Sequence, residues 1–251
     1  MSKDSWAPNQ YEKFKDQRSE PFYDLMSLLN KVDSPSIVDL GCGTGELTAE
    51  LHKKMNAKQT FGIDSSEKML EKARAFQTDY LKFELGNIAS WNPGKQFDII
   101  FSNAALQWCG DHPALFQNIS KNISQGGQLA VQMPMNHDYP THTIADELSR
   151  ELGYESREHP LLLVEDYASL LFKLGFKEQK VQLRVYGHIL NSREEVIEWV
   201  KGSMLTYYQS RLKEDQFKNF MTEYRERLFK VLPDDKPYFY PFKRIFIWGR
   251  K

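Results

Sequence analysis

Strand-like and helix-like apolar patterns alternate along the first half of the chain. Five short apolar runs predict strands: SIVDLG, QTFGID, LKFELG, FDIIFSN and GGQLAVQMP. Segments with apolar residues at helical spacing, such as ELTAELHKKM and HPALFQNISKNI, lie between most of them. Another helix is predicted in EPFYDLMSLLNKV, before the first strand. This alternation predicts right-handed crossovers and a mostly parallel sheet.

The pattern changes after Pro134. An amphipathic helix is predicted from about Thr141, a helix in DYASLLFKLGF and a strand in KVQLRVYGHIL. Helical periodicity then runs through residues 192–230, and YPFKRIFIWGRK predicts a last strand. We therefore predict an α/β, Rossmann-like fold, with a mostly parallel seven-stranded sheet, helices on both faces and a helical cap inserted late in the chain.

The predicted organisation is a single domain over residues 1–251. Its core covers about 30–135, 165–190 and 238–251. An N-terminal lid covers about 1–29, and the helical cap covers about 136–164 and 191–237.

Charge and cysteine content narrow the classes of partner. The 33 basic and 34 acidic side chains nearly cancel, so we expect neither a nucleic acid nor a membrane as partner. The two cysteines, Cys42 and Cys109, have no neighbours at metal-ligand spacing, so no metal site is expected. This composition suits a reducing compartment, and we expect a cytoplasmic monomer.

The stretch VDLGCGTGELTAE leads from a strand through three glycines into a helix. Such a turn brings backbone N–H groups close to a ligand. A dinucleotide fingerprint would need a third glycine where Glu46 stands, and this carboxylate would repel a pyrophosphate. The spacing argues against a dehydrogenase and favours a nucleoside ligand without phosphates.

Asp64 ends the next predicted strand, in FGIDSS. A carboxylate at this point can accept hydrogen bonds from both hydroxyls of a ribose. The alternative is that Asp64 and Ser65 only cap the following helix.

In this order, VDLGCGTG, GIDSS, GNIASW and FDIIFSNAALQW resemble the class I S-adenosylmethionine-dependent methyltransferases, over about residues 10–135. The resemblance implies S-adenosyl-L-methionine as cofactor, with its methionine part over the glycine turn and its ribose on Asp64. Many relatives carry an aspartate where Asn87 stands, at the edge of the adenine. The cofactor-binding residues that the resemblance implies are Tyr11, Arg18, Asp39, Gly41, Cys42, Gly43, Gly45, Asp64, Ser65, Met69, Asn87, Ile88 and Asn103.

Further stretches, among them SNAALQWCGDHPALFQNIS and QGGQLAVQMPMNHDYPTHTIADEL, resemble the trans-aconitate methyltransferases over nearly the full chain. This implies methyl-ester formation on a small carboxylic acid, with trans-aconitate favoured. Methyltransferases for lipid or isoprenoid acids and for malonyl-carrier protein share parts of the pattern and stay open, as does a non-catalytic cofactor-binding protein. A carboxylate is ionised at neutral pH, so no catalytic acid or base is nominated.

The resemblance also suggests residues for the acid substrate. Alone, each arginine is more often a surface ion pair, a histidine often has a structural partner, and a tryptophan is often core. The predicted substrate-binding residues are Gln107, Trp108, Gln132, Asn136, His142, Arg157 and Arg244.

Overall fold

The computed structural model describes residues 15–157 and 159–251, with side chains from Ser19 onward. Its helices are α1 (Lys15–Met26), α2 (Glu46–Lys54), α3 (Glu67–Ala73), α4 (His112–Lys121), α5 (Pro140–Glu151), α6 (Val164–Lys173), α7 (Glu194–Lys201), α8 (Met204–Gln209) and α9 (Glu214–Val231). Its strands are β1 (Ser36–Leu40), β2 (Gln59–Asp64), β3 (Leu81–Leu85), β4 (Phe97–Asn103), β5 (Ile123–Pro134), β6 (Glu178–Leu190) and β7 (Tyr238–Arg250).

The seven strands form one sheet in the order β3-β2-β1-β4-β5-β7-β6. The pairs β3–β2, β2–β1, β1–β4 and β4–β5 are parallel, whereas β7 runs antiparallel to β5. Strand β1 reads as a nearly continuous apolar run because Ile37, Val38 and Leu40 are fully buried, as expected for a strand covered on both faces. The predicted mostly parallel α/β sheet is confirmed.

The strand order reverses at β1. The chain moves from β1 outward to β2 and β3, and then returns to β4 on the other side of β1. In open α/β sheets, the crevice at the carboxyl ends of the strands flanking such a reversal is the usual ligand site. From the topology, a ligand site is therefore expected at the carboxyl ends of β1, β2 and β4.

Two predicted helices have different bounds in the structure. Helix α1 begins at Lys15, before Glu20, and contains Pro21 in its interior. The periodicity over residues 192–230 corresponds to three helices, because Gly202 ends α7 and Lys213 adopts an extended backbone before α9. Apolar spacing alone did not reveal these interruptions.

The chain divides into two compact units. Among the described residues, the larger unit, which we call the core unit, comprises residues 15–134, 160–184 and 244–251. The smaller, the cap unit, comprises residues 135–157, 159 and 185–243. Residues 185–190 and 238–243, which we had predicted in the core, thus belong to the cap unit. The single-domain organisation stays a prediction.

Each unit has its own apolar centre. In the core unit, Phe22 of α1 packs edge-on against Phe101 of β4, with ring centroids 5.2 Å apart. In the cap unit, Tyr208, Phe220 and Tyr224 form a column of rings, and the Tyr224 hydroxyl donates a hydrogen bond to the Thr141 carbonyl (3.0 Å). No helix in the described ranges has the length and apolar character needed to cross a membrane.

Candidate active site

The glycine turn follows β1 directly. Gly41, Gly43 and Gly45 have φ values of 85°, 54° and 76°, a left-handed backbone that glycine adopts without steric cost. The Gly41 N–H donates to the Ile63 carbonyl of β2 (2.7 Å), and the Gly45 N–H donates to the Cys42 carbonyl (3.1 Å). These hydrogen bonds fix the turn at the end of the sheet.

The three glycines differ in what surrounds them. A Cβ at Gly41 would lie 2.1 Å from the Ala105 Cβ, and one at Gly45 would lie 2.7 Å from the Ala73 Cβ. A Cβ at Gly43 would meet nothing within 4 Å. Gly41 and Gly45 are therefore required by packing, whereas the backbone at Gly43 borders open space that a ligand can approach.

Asp64 joins this turn to the end of β2. One carboxylate oxygen accepts from the Gly43 N–H and the other from the Ser66 N–H, both at 2.9 Å. The N-cap of α3 is Ser66, whose hydroxyl accepts from the Met69 N–H (3.3 Å). The N-cap is thus neither Asp64 nor Ser65, although Asp64 accepts from the N–H of the N-cap residue. A carboxylate oxygen can accept more than one hydrogen bond, and the ribose contact of Asp64 stays a prediction.

A second carboxylate lies near the end of β1, just before the turn. Asp39 is 4% exposed and accepts a hydrogen bond from the Thr48 hydroxyl (2.6 Å). Burial raises the pKa of Asp39 to about 7, opposed by the Thr48 hydrogen bond and assisted by the charge of Asp64. Glu46 begins α2. The carboxylates of Asp64 and Glu46 thus flank the turn, which disfavours a phosphate and favours a cationic ligand.

The segment after β3 contains residues that were predicted to contact the adenine. Ile88 lies beside the turn, with its Cδ1 3.7 Å from the position of a Gly41 Cβ. Asn87 is exposed and uses its Oδ1 to accept from the Ala89 N–H (3.0 Å), which begins a short 3₁₀ helix. Met69 is buried in α3. The structure therefore brings Ile88 to the glycine turn, and the adenine contacts of Asn87 and Met69 stay predictions.

Buried amides with unsatisfied atoms lie at the carboxyl ends of β4 and β5. Asn103 and Gln132 are direct neighbours in the parallel register. The Asn103 Oδ1, the Gln107 Oε1 and both polar side-chain atoms of Gln132 are buried and have no hydrogen-bond partner among the described residues. Each such atom costs roughly 1–3 kcal/mol, so a native chain usually retains it for a ligand or a water.

Two other predicted substrate residues belong to this unit. Arg244 is 5% exposed and pairs in register with Pro134 at the end of β5. A solvated surface ion pair is therefore the wrong description of Arg244. Trp108 follows β4 and is 43% exposed, so the core alternative for it is also wrong. Exposed large aromatic side chains near a ligand crevice are candidates for substrate contact.

The remaining predicted substrate residues lie in the cap unit. Asn136 is buried; its Oδ1 accepts from the Lys243 N–H (3.1 Å) and its Nδ2 donates to the Tyr240 hydroxyl (3.4 Å). Its amide is engaged within that unit, and a substrate contact stays a prediction. Burial, with the neighbouring Arg157 and His159 charges, lowers the pKa of His142 to about 3. Burial also lowers the pKa of Arg157.

Two predictions fall partly or wholly outside the described structure. Tyr11 lies outside the described residues. Arg18 lies in α1, but its side chain is outside the described part.

Sequence reasoning missed two imidazoles near His142, those of His137 and His159. Their ring centroids lie 5.6 Å apart, and the His159 ring is 6.4 Å from that of His142. One signal was present: three of the six histidines fall between residues 137 and 159.

Comparisons with known proteins were made on sequence and on structure. The family described as Methyltransferase domain matches residues 31–179. Trans-aconitate 2-methyltransferase of Deinococcus radiodurans is 40% identical over 96% of each chain, and that of Escherichia coli O1:K1 / APEC is 36% identical over 98% of each chain. The solved YcgJ protein of Bacillus subtilis aligns with a TM-score of 0.62 at 17% identity, over 92% of this chain and 98% of that one. An S-adenosylmethionine dependent methyltransferase from Mesorhizobium loti aligns with a TM-score of 0.53 at 20% identity, over 93% and 98%. The two solved structures confirm the predicted fold class.

Proposed function

Since the chain belongs to the methyltransferase-domain family and, within it, to the trans-aconitate 2-methyltransferases, we propose that it transfers the methyl group of S-adenosylmethionine to a carboxylate oxygen of trans-aconitate. The products are a methyl ester and S-adenosylhomocysteine. The observation that carries the proposal is the glycine turn, whose backbone is open at Gly43 and is hydrogen-bonded to the Asp64 carboxylate.

The residues of the turn fit this donor. When bound, S-adenosylmethionine supplies an electrophilic methyl group on a positively charged sulfur. Asp64, which accepts from the Gly43 N–H, favours a cationic amino acid group near Gly43, where a phosphate would be repelled. We assign the ribose hydroxyls to Asp64 and the edge of the adenine to Asn87 and Ile88. The unsatisfied Oδ1 of Asn103 is an acceptor available to the same ligand.

The acceptor needs positioning and not activation. A carboxylate, with a reference pKa of about 4, is already ionised at neutral pH, so no base has to remove a proton. The protein then has to align the oxygen and exclude water. We assign Gln107 and Gln132 to this task, since the Gln132 Nε2 is a buried donor without a partner among the described side chains. The buried guanidinium of Arg244 is a further candidate for a carboxylate.

A turnover assay tests the proposal. We would measure S-adenosylhomocysteine released from S-adenosylmethionine with trans-aconitate, with a monocarboxylate of similar size and without acceptor. We expect release only with trans-aconitate. Calorimetric titration with S-adenosylhomocysteine tests the assignment of the methyl donor separately from that of the acceptor. Tight binding without turnover would reject the acceptor, and no binding would reject the donor.

We also infer that the enzyme works in the cytoplasm, because both cysteines are free thiols and such thiols persist in a reducing compartment. A monomeric state stays a prediction, which light scattering of the purified chain would measure.

A further inference from the structure

The first residue of α4 is a buried histidine that the proposed mechanism does not use. His112 is fully buried, and its ring reaches back to the short 3₁₀ helix Leu106–Trp108, which follows β4. Its Nε2 lies 3.1 Å from the Leu106 carbonyl oxygen, and its Nδ1 lies 2.5 Å from the Tyr167 hydroxyl of α6. All of these residues belong to the core unit. An apolar ring would fill this position without two nitrogens to satisfy, so the imidazole points to a role for its hydrogen bonds.

Two backbone groups fix the direction of the hydrogen bonds through this pair of rings. The Leu106 carbonyl can only accept, so the His112 Nε2 carries a hydrogen. At the other end, the Leu162 N–H can only donate, and it does so to the Tyr167 oxygen (3.4 Å). The Tyr167 hydroxyl therefore donates its own hydrogen to the His112 Nδ1. In the neutral Nε2–H tautomer, both nitrogens of His112 are satisfied.

The surroundings keep both rings uncharged. Burial lowers the pKa of His112, opposed by the carbonyls of Leu106 and Cys109 and by the charge of Asp111. Burial also raises the pKa of Tyr167. At neutral pH, the imidazole is therefore neutral and the Tyr167 hydroxyl selects which of its nitrogens is protonated.

The peptide group that His112 holds leads directly into Gln107. The Leu106 carbonyl and the Gln107 N–H belong to one planar peptide unit, so a fixed carbonyl fixes the direction in which the chain enters Gln107. The Gln107 Nε2 donates to the Ala104 carbonyl (2.8 Å), and its buried Oε1 has no partner among the described residues. The orientation of the Gln107 amide thus depends on the Leu106 carbonyl and on the Ala104 carbonyl.

The segment that carries Gln107 is bordered by strained backbone. Ala104 and Asp111 have φ values of 55° and 45°, in the left-handed region that residues with a Cβ rarely adopt. Such conformations are costly and persist where surrounding contacts hold them, often at functional sites. The hydrogen bond from His112 to the Leu106 carbonyl closes the segment between these two residues. It is therefore a contact that holds the strained segment in place.

We propose that His112 is a positioning residue, whose Nε2–H, oriented by Tyr167, holds the Leu106 carbonyl and thereby keeps Gln107 aligned with the acceptor. The proposal rests on the proposed function and deepens it, because Gln107 is assigned there to the acceptor carboxylate. It also gives α6 a part in the site, since Tyr167 meets His112 across 55 positions of the chain. A role in packing alone would require a ring of this size but no donor.

Two substitutions of His112 separate the donor from the ring. His112→Gln places an N–H donor at about the distance of Nε2, whereas His112→Phe keeps a ring and has no donor. We expect the KM for trans-aconitate to rise about tenfold in His112→Phe and to stay within about twofold of the wild type in His112→Gln. The affinity for S-adenosylhomocysteine should change little in both. Equal KM values in the two variants would show that the donor is not what matters, and would overturn the proposal.

A matched control lies on the same helix. The Asn118 Nδ2 of α4 donates to the Trp91 carbonyl (2.7 Å), a bond from a side chain to a distant carbonyl that does not reach residues 104–108. Asn118→Leu should therefore keep a KM near that of the wild type. A tenfold rise in this control would assign the effect of His112→Phe to a general loosening of α4 and reject the positioning role.

Tyr167→Phe tests the other end of the pair and removes only one oxygen, so it also covers the case in which His112→Phe does not fold. We expect its KM for trans-aconitate to rise about threefold. A wild-type KM would overturn the orientation of His112 by Tyr167. NMR of the ring nitrogens in the ligand-free wild type should show the Nε2–H tautomer of His112 between about pH 5 and 8. The Nδ1–H tautomer would overturn the proposal even if trans-aconitate is methylated.

Hydrogen exchange separates this proposal from the proposed function, because it needs no acceptor. In the ligand-free protein, the amides of residues 104–109 should exchange about tenfold faster in His112→Phe than in His112→Gln, since only the latter holds the Leu106 carbonyl. That result supports the positioning role even if trans-aconitate is not turned over. Equal exchange in the two variants, with trans-aconitate methylated by the wild type, would keep the function and reject the role of His112.

Discussion

Two glutamines on strand β5, four residues apart, give opposite expectations for the same substitution. Gln128 is fully buried and satisfied: its Oε1 accepts from the Asn30 N–H (2.8 Å) and the Trp248 Nε1 (2.9 Å), and its Nε2 donates to the Asn30 carbonyl (2.9 Å). Gln132 is equally buried, but both of its polar atoms have no partner among the described residues. Gln132→Leu therefore removes a cost, and Gln128→Leu creates one.

The size of each stability change follows from the number of buried polar atoms that have no hydrogen-bond partner. An unsatisfied buried polar atom costs roughly 1–3 kcal/mol, so Gln132→Leu should stabilise the ligand-free protein by about 1–3 kcal/mol after partial repacking. For a chain of this size, each kcal/mol raises Tm by about 2–4 °C. Gln128→Leu leaves the buried Trp248 N–H unpaired, whereas the exposed Asn30 can bond to water, and it should destabilise the protein by about 1–3 kcal/mol.

For activity, the order of the two variants should be reversed: the variant that gains stability should lose substrate affinity. Gln132→Leu removes the donor assigned to the acceptor carboxylate, so the KM for trans-aconitate should rise about tenfold or more. Gln128→Leu should keep a KM near that of the wild type at a temperature where it is folded. Urea unfolding without ligands and steady-state kinetics measure the two effects. Destabilisation of Gln132→Leu would show that its amide is satisfied in the ligand-free protein, and wild-type kinetics would remove Gln132 from the site.

Other expectations concern the donor side. Asp64→Ala should weaken S-adenosylhomocysteine binding by about 1.5–3 kcal/mol in calorimetry. The control Asp79→Ala, at an exposed position, should bind with the affinity of the wild type. Equal affinities of the two variants would reject the ribose assignment. Gly43→Ala and Gly94→Ala both place a side chain at positive φ in open space, so both should lose about 1 kcal/mol of stability, but only Gly43→Ala should lose cofactor affinity. The pKa of Asp39 is about 7 in the folded protein and 3.8 ordinarily, so the native state binds a proton that the unfolded chain releases. The free energy of unfolding should therefore fall as pH rises from about 4 to 7. Urea unfolding of Asp39→Asn should not show this dependence on pH.

The sequence predicted the parallel sheet and the glycine turn because both depend on local signals. Strand β1 is a nearly continuous apolar run, and the turn needs glycines at positive φ, so each is visible in a window of a few residues. Asp64 was predicted from its place at the end of β2, and the structure brings it to the Gly43 N–H. Which of Asp64 and Ser66 would cap α3 depends on side-chain direction, which the pattern does not carry.

The other features of the fold and of the candidate site depend on contacts between residues that are far apart in the sequence. Gln128 and Gln132 look alike in the sequence, and only the positions of Asn30 and Trp248 distinguish them. His159 reaches Asp146 across 13 positions, and Tyr208 reaches it across 62. Apolar periodicity does not encode contacts between residues so far apart. The grouping of His137, His142 and His159 was therefore visible in the sequence only in part, as a local abundance of histidine.

The division of the chain bears on how its specificity could be exchanged with that of a relative. The cap unit is not one segment: its boundaries fall at 134/135, 159/160, 184/185 and 243/244, and the last two lie inside β6 and β7. A chimaera that carries another cap must therefore splice two strands of the same sheet, where a one-residue error in register reverses which side chains are buried. Recombination is thus far more constrained here than in a protein whose cap is a single inserted loop, and changes in substrate should be easier to obtain by point substitution.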